Sequence, residues 1–176
     1  MKRKIEKILK DEKYYECIKD LYNHDVVKQM DEYIQHGKTT TLDHCIRVSY
    51  TSYKIAKFFK LDYISAARAG LLHDLYLYDW HTNNEKTKFF EKHGFSHPKK
   101  ALENASKYFD LKDVEKDIIV KHMWPLTLRN VPQYRESFVV SFVDKYKSCG
   151  ETLVPVVTKA SNYAIFLVNI IVNLIK

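Results

Sequence analysis

The 176-residue chain suits a single domain, and its scarce helix breakers, 4 glycines and 4 prolines, favour a mostly helical protein with short connections. No G-x-G-x-x-G or G-x-x-x-x-G-K sequence occurs, so nucleotide binding through a glycine-rich loop has no support. The formal net charge of +7 arises from lysines interspersed with Asp and Glu, which predicts a solvated helical surface rather than a continuous face for nucleic acid.

The cysteines are typical of a reducing compartment. Cys17, Cys45 and Cys149 are widely separated, odd in number and free of C-x-x-C spacing, so we predict reduced thiols rather than disulfides. The chain opens with a basic segment, MKRKIEK, instead of an apolar signal region. A cytoplasmic protein is therefore expected.

The first third of the chain is predicted to be helical. Residues 2–22 have the pattern of one or two charged amphipathic helices, and Asp25 to His36 that of another helix, which ends before a glycine. Thr40 and Asp43 have the spacing of a capping box for the next helix, Leu42 to Phe59. The candidate buried positions of the first segment are Ile5, Ile8, Leu9, Tyr15, Ile18 and Leu21.

The middle of the chain alternates predicted helices with one irregular stretch. An apolar run at 66–72 predicts a helix whose small residues let a neighbouring backbone approach closely. Residues 76–97 are interpreted as a substrate-facing segment with a short helix around Lys86 to Lys92 or a short hairpin. Helices are then predicted at Pro98 to Phe109, Asp113 to Met123 and Gln133 to Ser148.

The last segment, Thr158 to Lys176, is apolar on nearly all sides, which is typical of a buried helix. It is too short and too interrupted by asparagine to span a bilayer, which needs about 20 apolar residues. A helix that closes the core is favoured, and an interface in a homodimer or a membrane-surface anchor stays open. We predict one domain over 1–176, with N-terminal helices at 1–37, a core at 40–150 and the apolar helix at 155–176.

The motif that carries chemistry is a histidine–aspartate doublet, His73-Asp74, at the end of an apolar helical run. His44 precedes it on the previous predicted helix, and Asp144 follows inside another apolar run. An ionised carboxylate among such neighbours is costly unless something pairs with it. A divalent cation would supply that pairing, and two imidazoles with two carboxylates are a suitable ligand set for one.

This pattern, His…His-Asp…Asp on consecutive helices, resembles the HD superfamily of metal-dependent phosphohydrolases over roughly residues 40–150. The resemblance implies an all-α, HD-domain-like bundle of six or more helices. It also implies that His44, His73, Asp74 and Asp144 converge on one metal ion, with His73 and Asp74 as the catalytic pair.

Two further histidines match the binuclear branch of that superfamily, in which two extra histidines hold a second metal. His97 directly precedes Pro98, so we expect it at or beside a helix N-cap, and a plain capping role is the alternative. His122 follows Ile118 and Ile119 on the predicted buried face, and a satisfied core histidine is the alternative. The resemblance thus implies one or two divalent ions, among Fe, Mn, Co, Ni, Zn or Mg.

The implied activity is hydrolysis of a phosphoric ester or anhydride in a small phosphorylated molecule. Nucleotides are favoured by the resemblance, with a phosphomonoester or a dinucleoside polyphosphate ahead of a cyclic dinucleotide. A catalytically weak nucleotide-binding or regulatory module of the same fold is the alternative, and a basic helical nucleic-acid-binding protein is a third hypothesis.

Five residues near these motifs in sequence are candidates for substrate contacts. The cations are Arg47, Lys99 and Arg135, and the aromatic residues that could stack on a base are Tyr78 and Trp124. Solvated surface for the cations and ordinary packing for the aromatics remain the alternatives. The other histidines, at positions 24, 36, 81 and 93, lack supporting neighbours and are predicted not to be ligands, and a substrate contact stays open for His81.

Overall fold

Helices make up most of the chain in the computed structural model, which describes residues 2–36, 39–78 and 93–153. Among these residues the helices are α1 (Lys2–Leu9), α2 (Glu12–Tyr22), α3 (Asp25–Lys28), α4 (Thr41–Phe58), α5 (Tyr63–Leu72), α6 (His93–Tyr108), α7 (Asp113–Lys121) and α8 (135–153). The predicted fold class, an all-α bundle of six or more helices, is confirmed.

Side-chain caps fix where the two central helices begin. The hydroxyl of Thr40 accepts a hydrogen bond from the backbone N–H of Asp43 at 3.2 Å, as the capping-box spacing predicts. Asp62 does the same for α5 by accepting from the N–H of Ser65 at 3.0 Å. These starts set the helical register that places His44 in the first turns of α4.

Residues 25–36 correct the sequence prediction of one continuous helix. Helix α3 ends at Lys28, a 3-10 turn spans Gln29–Glu32, and strand β1 (Ile34–His36) pairs antiparallel with β2 (Thr39–Thr40). A hairpin was predicted only within 76–97. The described hairpin is instead formed by β1 and β2. Tertiary contacts override helix propensity here, because an extended backbone lets the Gln35 amide reach Asp74.

A close crossing of α4 and α5 brings the first predicted ligands together. A Cβ atom added to Gly70 would lie 2.9 Å from the Cα of Ser49, so only glycine fits without a shift. The Ser49 hydroxyl donates to the Ala67 carbonyl at 2.6 Å and accepts from the Tyr14 hydroxyl at 2.9 Å, which ties α2 to the crossing. The predicted close backbone approach is confirmed.

The N-terminal helices bury most of the face that the pattern predicts. Ile5, Ile18 and Leu21 are buried, whereas the other predicted positions, Ile8, Leu9 and Tyr15, are half-buried. Tyr14, which the pattern missed, is fully buried because its hydroxyl finds hydrogen-bond partners on α4.

Two helix boundaries also differ from the prediction. Helix α6 begins at His93, so Pro98 lies inside the helix and His97 is not an N-cap residue. Proline there removes one backbone hydrogen bond near the start of the helix, which the helix tolerates. Helix α8 continues past Ser148 through residue 153, where the described residues end, and ion pairs of Glu151 hold this part of the helix.

Several predictions fall wholly or partly outside the described residues. The short helix around Lys86 to Lys92, His81 and the apolar segment from Thr158 lie there, so the single-domain organisation stays a prediction. The three cysteines are described and are free thiols, as predicted. Within 2–36, 39–78 and 93–153, no helix has the length and apolar character needed to cross a membrane.

Candidate metal centre

His44 is fully buried on α4 between two carboxylates of α8. Its Nε2 lies 3.1 Å from Asp144 Oδ1, and its Nδ1 lies 2.9 Å from Glu151 Oε2. Burial opposes protonation of the imidazole, but hydrogen bonds to the two carboxylates outweigh it and raise the pKa of His44 to about 9. The superfamily resemblance implies that His44 and Asp144 converge, as they do here, whereas Glu151 is not among the predicted residues.

His73 is the C-cap residue of α5, and the end of the helix orients its ring. Its Nδ1 lies 2.9 Å from the carbonyl oxygen of Gly70, and a carbonyl only accepts, so Nδ1–H is the donor. Nε2 therefore faces Asp74 Oδ2 at 3.3 Å and Asp144 Oδ1 at 3.7 Å. Burial lowers the pKa of His73, but the negative charge of Asp74, together with Cys45 and Asp144, outweighs burial and holds the pKa well above its usual value.

Asp74 presents its two carboxylate oxygens in different directions. Oδ2 accepts a hydrogen bond from the Gln35 amide at 2.6 Å and faces His73. Oδ1 lies 3.2 Å from His97 Nε2 and 3.5 Å from His122 Nε2. Burial raises the pKa of Asp74, but the imidazoles of His73 and His97 together outweigh burial, so the carboxyl pKa lies well below its usual value. Asp74 thus contacts both halves of the centre.

His97 on α6 and His122 at the end of α7 meet across the centre, with 2.8 Å between their Nε2 atoms. The Nδ1–H of His122 donates to the carbonyl oxygen of Ile119 at 2.8 Å. Burial and the positive charge of His73 hold the pKa of His122 well below its usual value. A neutral His122 therefore presents a lone pair on Nε2 toward Asp74 and His97.

Both carboxylate oxygens of Asp144 have partners on α8. Ser148 Oγ donates to Oδ1 at 3.2 Å, and Lys145 Nζ lies 3.2 Å from Oδ2. Burial raises the pKa of Asp144, but His44 and His73 lower it well below its usual value. Asp144 is therefore both a recessed carboxylate and a partner of Lys145.

The six predicted ligands form two neighbouring groups of three. In each group the candidate ligand atoms lie within 4.8 Å of one another: the His44 cluster consists of His44, His73 and Asp144, and the His122 cluster of Asp74, His97 and His122. Cys45, His73 and Asp74 satisfy the same criterion and link the two clusters.

The spacing within the clusters fits a divalent ion. Two ligand atoms about 2.1 Å from one ion stand about 3.0 to 3.4 Å apart, and the His44–Asp144 and His97–Asp74 separations of 3.1 and 3.2 Å lie in that range. His73 Nε2 and Asp74 Oδ1 are buried and make no well-formed hydrogen bond among the described residues, although His73 Nε2 faces Asp74 at 3.3 Å and Asp74 Oδ1 faces His97 at 3.2 Å. A cation would give both buried atoms a stronger partner.

A family comparison agrees with this geometry. The model of the family described as HD domain matches residues 41–148, which include all six clustered residues. The chain belongs to the HD domain family. This family lies within a superfamily of metal-dependent phosphohydrolases and binds divalent metals. Searches of curated proteins and of solved structures gave no match.

Gln35 supports the HD-domain doublet from the hairpin. Its amide N–H donates to Asp74, while its carbonyl oxygen accepts from the Tyr76 hydroxyl and, at 3.4 Å, from the Thr41 hydroxyl. These acceptor contacts fix which end of the amide faces Asp74. A polar residue inside a predicted helix carried no signal for this role.

The five residues predicted to contact substrate lie in different surroundings in the HD domain. Arg47 pairs with Glu151 at 3.2 Å, and the half-buried Tyr78 ring lies 4.9 Å from that of Tyr76. Trp124 packs edge-on against Phe138 and Phe142, with ring centroids 5.3 and 5.8 Å away. Lys99 and Arg135 are exposed. Arg47 and Tyr78 therefore lie beside residues of the centre, whereas Trp124 has ordinary packing partners.

Proposed function

We propose that this HD domain hydrolyses a phosphoric ester or anhydride of a small phosphorylated molecule with the help of bound divalent metal. The observation that carries the proposal is the convergence of six buried side chains from five different segments on two clusters with metal-like spacing. Nucleotides are the favoured substrates, with phosphomonoesters and dinucleoside polyphosphates first. That preference comes from the superfamily resemblance.

The residues proposed to hold metal are His44, His73 and Asp144 at one position and His97 and His122 at a second, with Asp74 between them. Each position offers two imidazoles and at least one carboxylate. Mixed nitrogen and oxygen ligands suit Mn, Fe, Co, Ni or Zn better than Mg, which prefers oxygen and retained water. We therefore rank Mg last among the candidate ions.

A bound divalent ion supplies Lewis acidity and lowers the pKa of water at the site. The protein's own residues keep the site dry and charged: all six are almost fully buried, and Asp74 and Asp144 are ionised at neutral pH. Ionised carboxylates there would neutralise a cation. The positive net charge of the protein would attract a phosphorylated substrate from solution.

Substrate contacts are proposed on the side of the centre nearest the segment that follows the doublet. Tyr78 is the best-supported candidate, because its ring contacts Tyr76, whose hydroxyl belongs to the Gln35 network. Burial raises the pKa of Tyr78, so its hydroxyl stays a hydrogen-bond donor at neutral pH. Arg47, Lys99, Trp124 and Arg135 stay predictions, as do a cytoplasmic location and a homodimer.

The test is elemental analysis of protein purified without chelator, followed by a phosphate-release screen. Nucleoside monophosphates and dinucleoside polyphosphates would be assayed with Mn, Fe, Co, Ni, Zn and Mg, before and after removal of bound metal. We expect bound transition metal, and metal-dependent phosphate release that chelation abolishes. Asp117→Asn is a suitable control, because Asp117 is buried but pairs with Lys121 and Ser137 outside the clusters. Metal-loaded protein inactive on every substrate would favour the binding-module alternative.

A further inference from the structure

Glu151 lies on α8 beyond the segment matched by the HD domain model, yet it reaches a predicted metal ligand. Its side chain is only 7% exposed. Oε2 lies 2.9 Å from His44 Nδ1. A polar group buried to this extent is costly without partners, and His44 is one of them.

The contact leaves one nitrogen of His44 available for metal. A carboxylate at Nδ1 favours a proton on that atom, so the lone pair of the neutral ring lies on Nε2. Nε2 faces Asp144 Oδ1 at 3.1 Å, inside the His44 cluster. Carboxylates that accept from the far nitrogen of a metal-bound histidine fix its ring and raise its basicity.

Arg47 holds the other oxygen of the same carboxylate. Arg47 Nη1 lies 3.2 Å from Glu151 Oε1, so the two Glu151 oxygens have separate partners on α4. Arg47 and His44 are one helical turn apart, which lets one carboxylate reach both. The Arg47 guanidinium therefore forms its ion pair with Glu151.

We infer that Glu151 is a positioning residue for His44, and that Arg47 acts on the centre through Glu151 rather than through substrate. This inference rests on the proposed metal-dependent function. Glu151 would thus add to the centre a residue that lies one turn of α8 beyond the segment that the HD domain model matches. The competing explanation is that Glu151 only ties α8 to α4, as any buried ion pair would.

Binding of Co²⁺ to metal-free protein, followed by its visible absorption spectrum, separates these explanations without an activity assay. Glu151→Gln keeps a hydrogen-bond acceptor but removes the charge, and Glu151→Ala removes both. We expect the dissociation constant to rise on the order of 10-fold for Gln and 100-fold for Ala, with a changed Co²⁺ spectrum. Where the Ala variant does not fold, the Gln variant carries the test.

Glu115→Gln is the matched control. Glu115 is also buried and pairs with an arginine at 3.2 Å, through Arg68 Nε, but it contacts none of the clustered residues. Its substitution should cost stability and leave the Co²⁺ spectrum unchanged. Glu151 variants with the affinity and spectrum of the parent protein would overturn the inference, while parent protein that binds no Co²⁺ would overturn the proposed function as well.

A double-mutant cycle tests the role of Arg47. Arg47→Ala should weaken Co²⁺ binding in the parent protein, by less than Glu151→Ala does, because its effect is indirect. In the Glu151→Ala background the same change should have no further effect on binding. An equal loss in both backgrounds would show that Arg47 acts independently of Glu151 and would overturn that part of the inference.

Discussion

The His44 and His122 clusters have similar side chains but opposite electrostatics. In the His44 cluster, carboxylates from α8 and the doublet raise the pKa of both imidazoles, that of His44 to about 9. In the His122 cluster, the pKa of His122 lies well below its usual value because burial and His73 oppose its protonation. The first cluster thus holds protons at neutral pH, whereas His122 holds a lone pair.

This difference shows how the negative charge of the buried carboxylates is compensated in the metal-free protein. Asp74 and Asp144 are ionised and almost fully buried, and protonated His44 and His73 compensate them. A divalent ion in the His44 cluster must displace those protons, whereas an ion beside His122 meets a neutral nitrogen. The comparison predicts that the two metal positions respond differently to mutation and to pH.

The largest effect is expected where the clusters meet. Asp74 belongs to the His122 cluster and faces His73 of the His44 cluster, so Asp74→Ala should abolish both tight metal retention and hydrolysis. Metal content after gel filtration and phosphate release would measure the two losses. A variant that kept two ions per chain would show that Asp74 does not join the clusters.

Removal of His122 should affect only one cluster. His122→Ala is expected to lower the stoichiometry from about two metals to one, with a rate loss of several orders of magnitude by analogy with two-metal sites. His24→Ala is a suitable control, since His24 caps α3 and packs on Tyr108 and Phe109. A single metal in both proteins, with mainly KM raised, would instead assign His97 and His122 to phosphate contact.

The pH dependence should separate the clusters further. Since the pKa of His44 is raised to about 9, His44 is protonated below that pH and the proton competes with metal. Metal affinity of the His122→Ala protein should therefore rise between pH 6 and 9, with proton release. Calorimetry in buffers of different ionisation enthalpy would count the protons. An affinity independent of pH would contradict the assigned charge of the His44 cluster.

The smallest effect is expected from Gln35, which orients Asp74 without belonging to either cluster. Gln35→Ala should weaken metal binding about 10-fold, because Asp74 loses the donor that fixes its carboxylate. Tyr76→Phe should have a weaker effect, since it removes a donor to Gln35 and leaves the Gln35 amide that contacts Asp74 in place. Isothermal titration with Mn²⁺ measures both, and unchanged binding in Gln35→Ala would limit Gln35 to holding the hairpin.

The residues that could be predicted from sequence are those whose chemistry conflicts with their neighbours. His73-Asp74 and Asp144 occur in apolar runs, and such charges require a partner. Glu151 and Gln35 could not be found this way, because each lies among polar residues and gains its role only through a tertiary contact. Glu151 left a faint signal, since it lies seven residues after Asp144 and thus on the same face of α8.

The errors in the predicted helix boundaries also have physical reasons. The interval 25–36 has helical propensity, but the bonds of Gln35 to Asp74 and of Thr41 N–H to the Tyr33 carbonyl at 2.8 Å need an extended chain. His97 was expected at an N-cap because proline favours the first turn, and α6 instead begins at His93. Its predicted position in the centre did not depend on that detail.

The most direct measurement of the central claim is anomalous diffraction from crystals grown with Mn²⁺. The account predicts two peaks per chain, one between His44 Nε2 and Asp144 Oδ1 and one among Asp74 Oδ1, His97 Nε2 and His122 Nε2. Crystals with Mn²⁺ at saturating concentration and no anomalous peak at either cluster would contradict it.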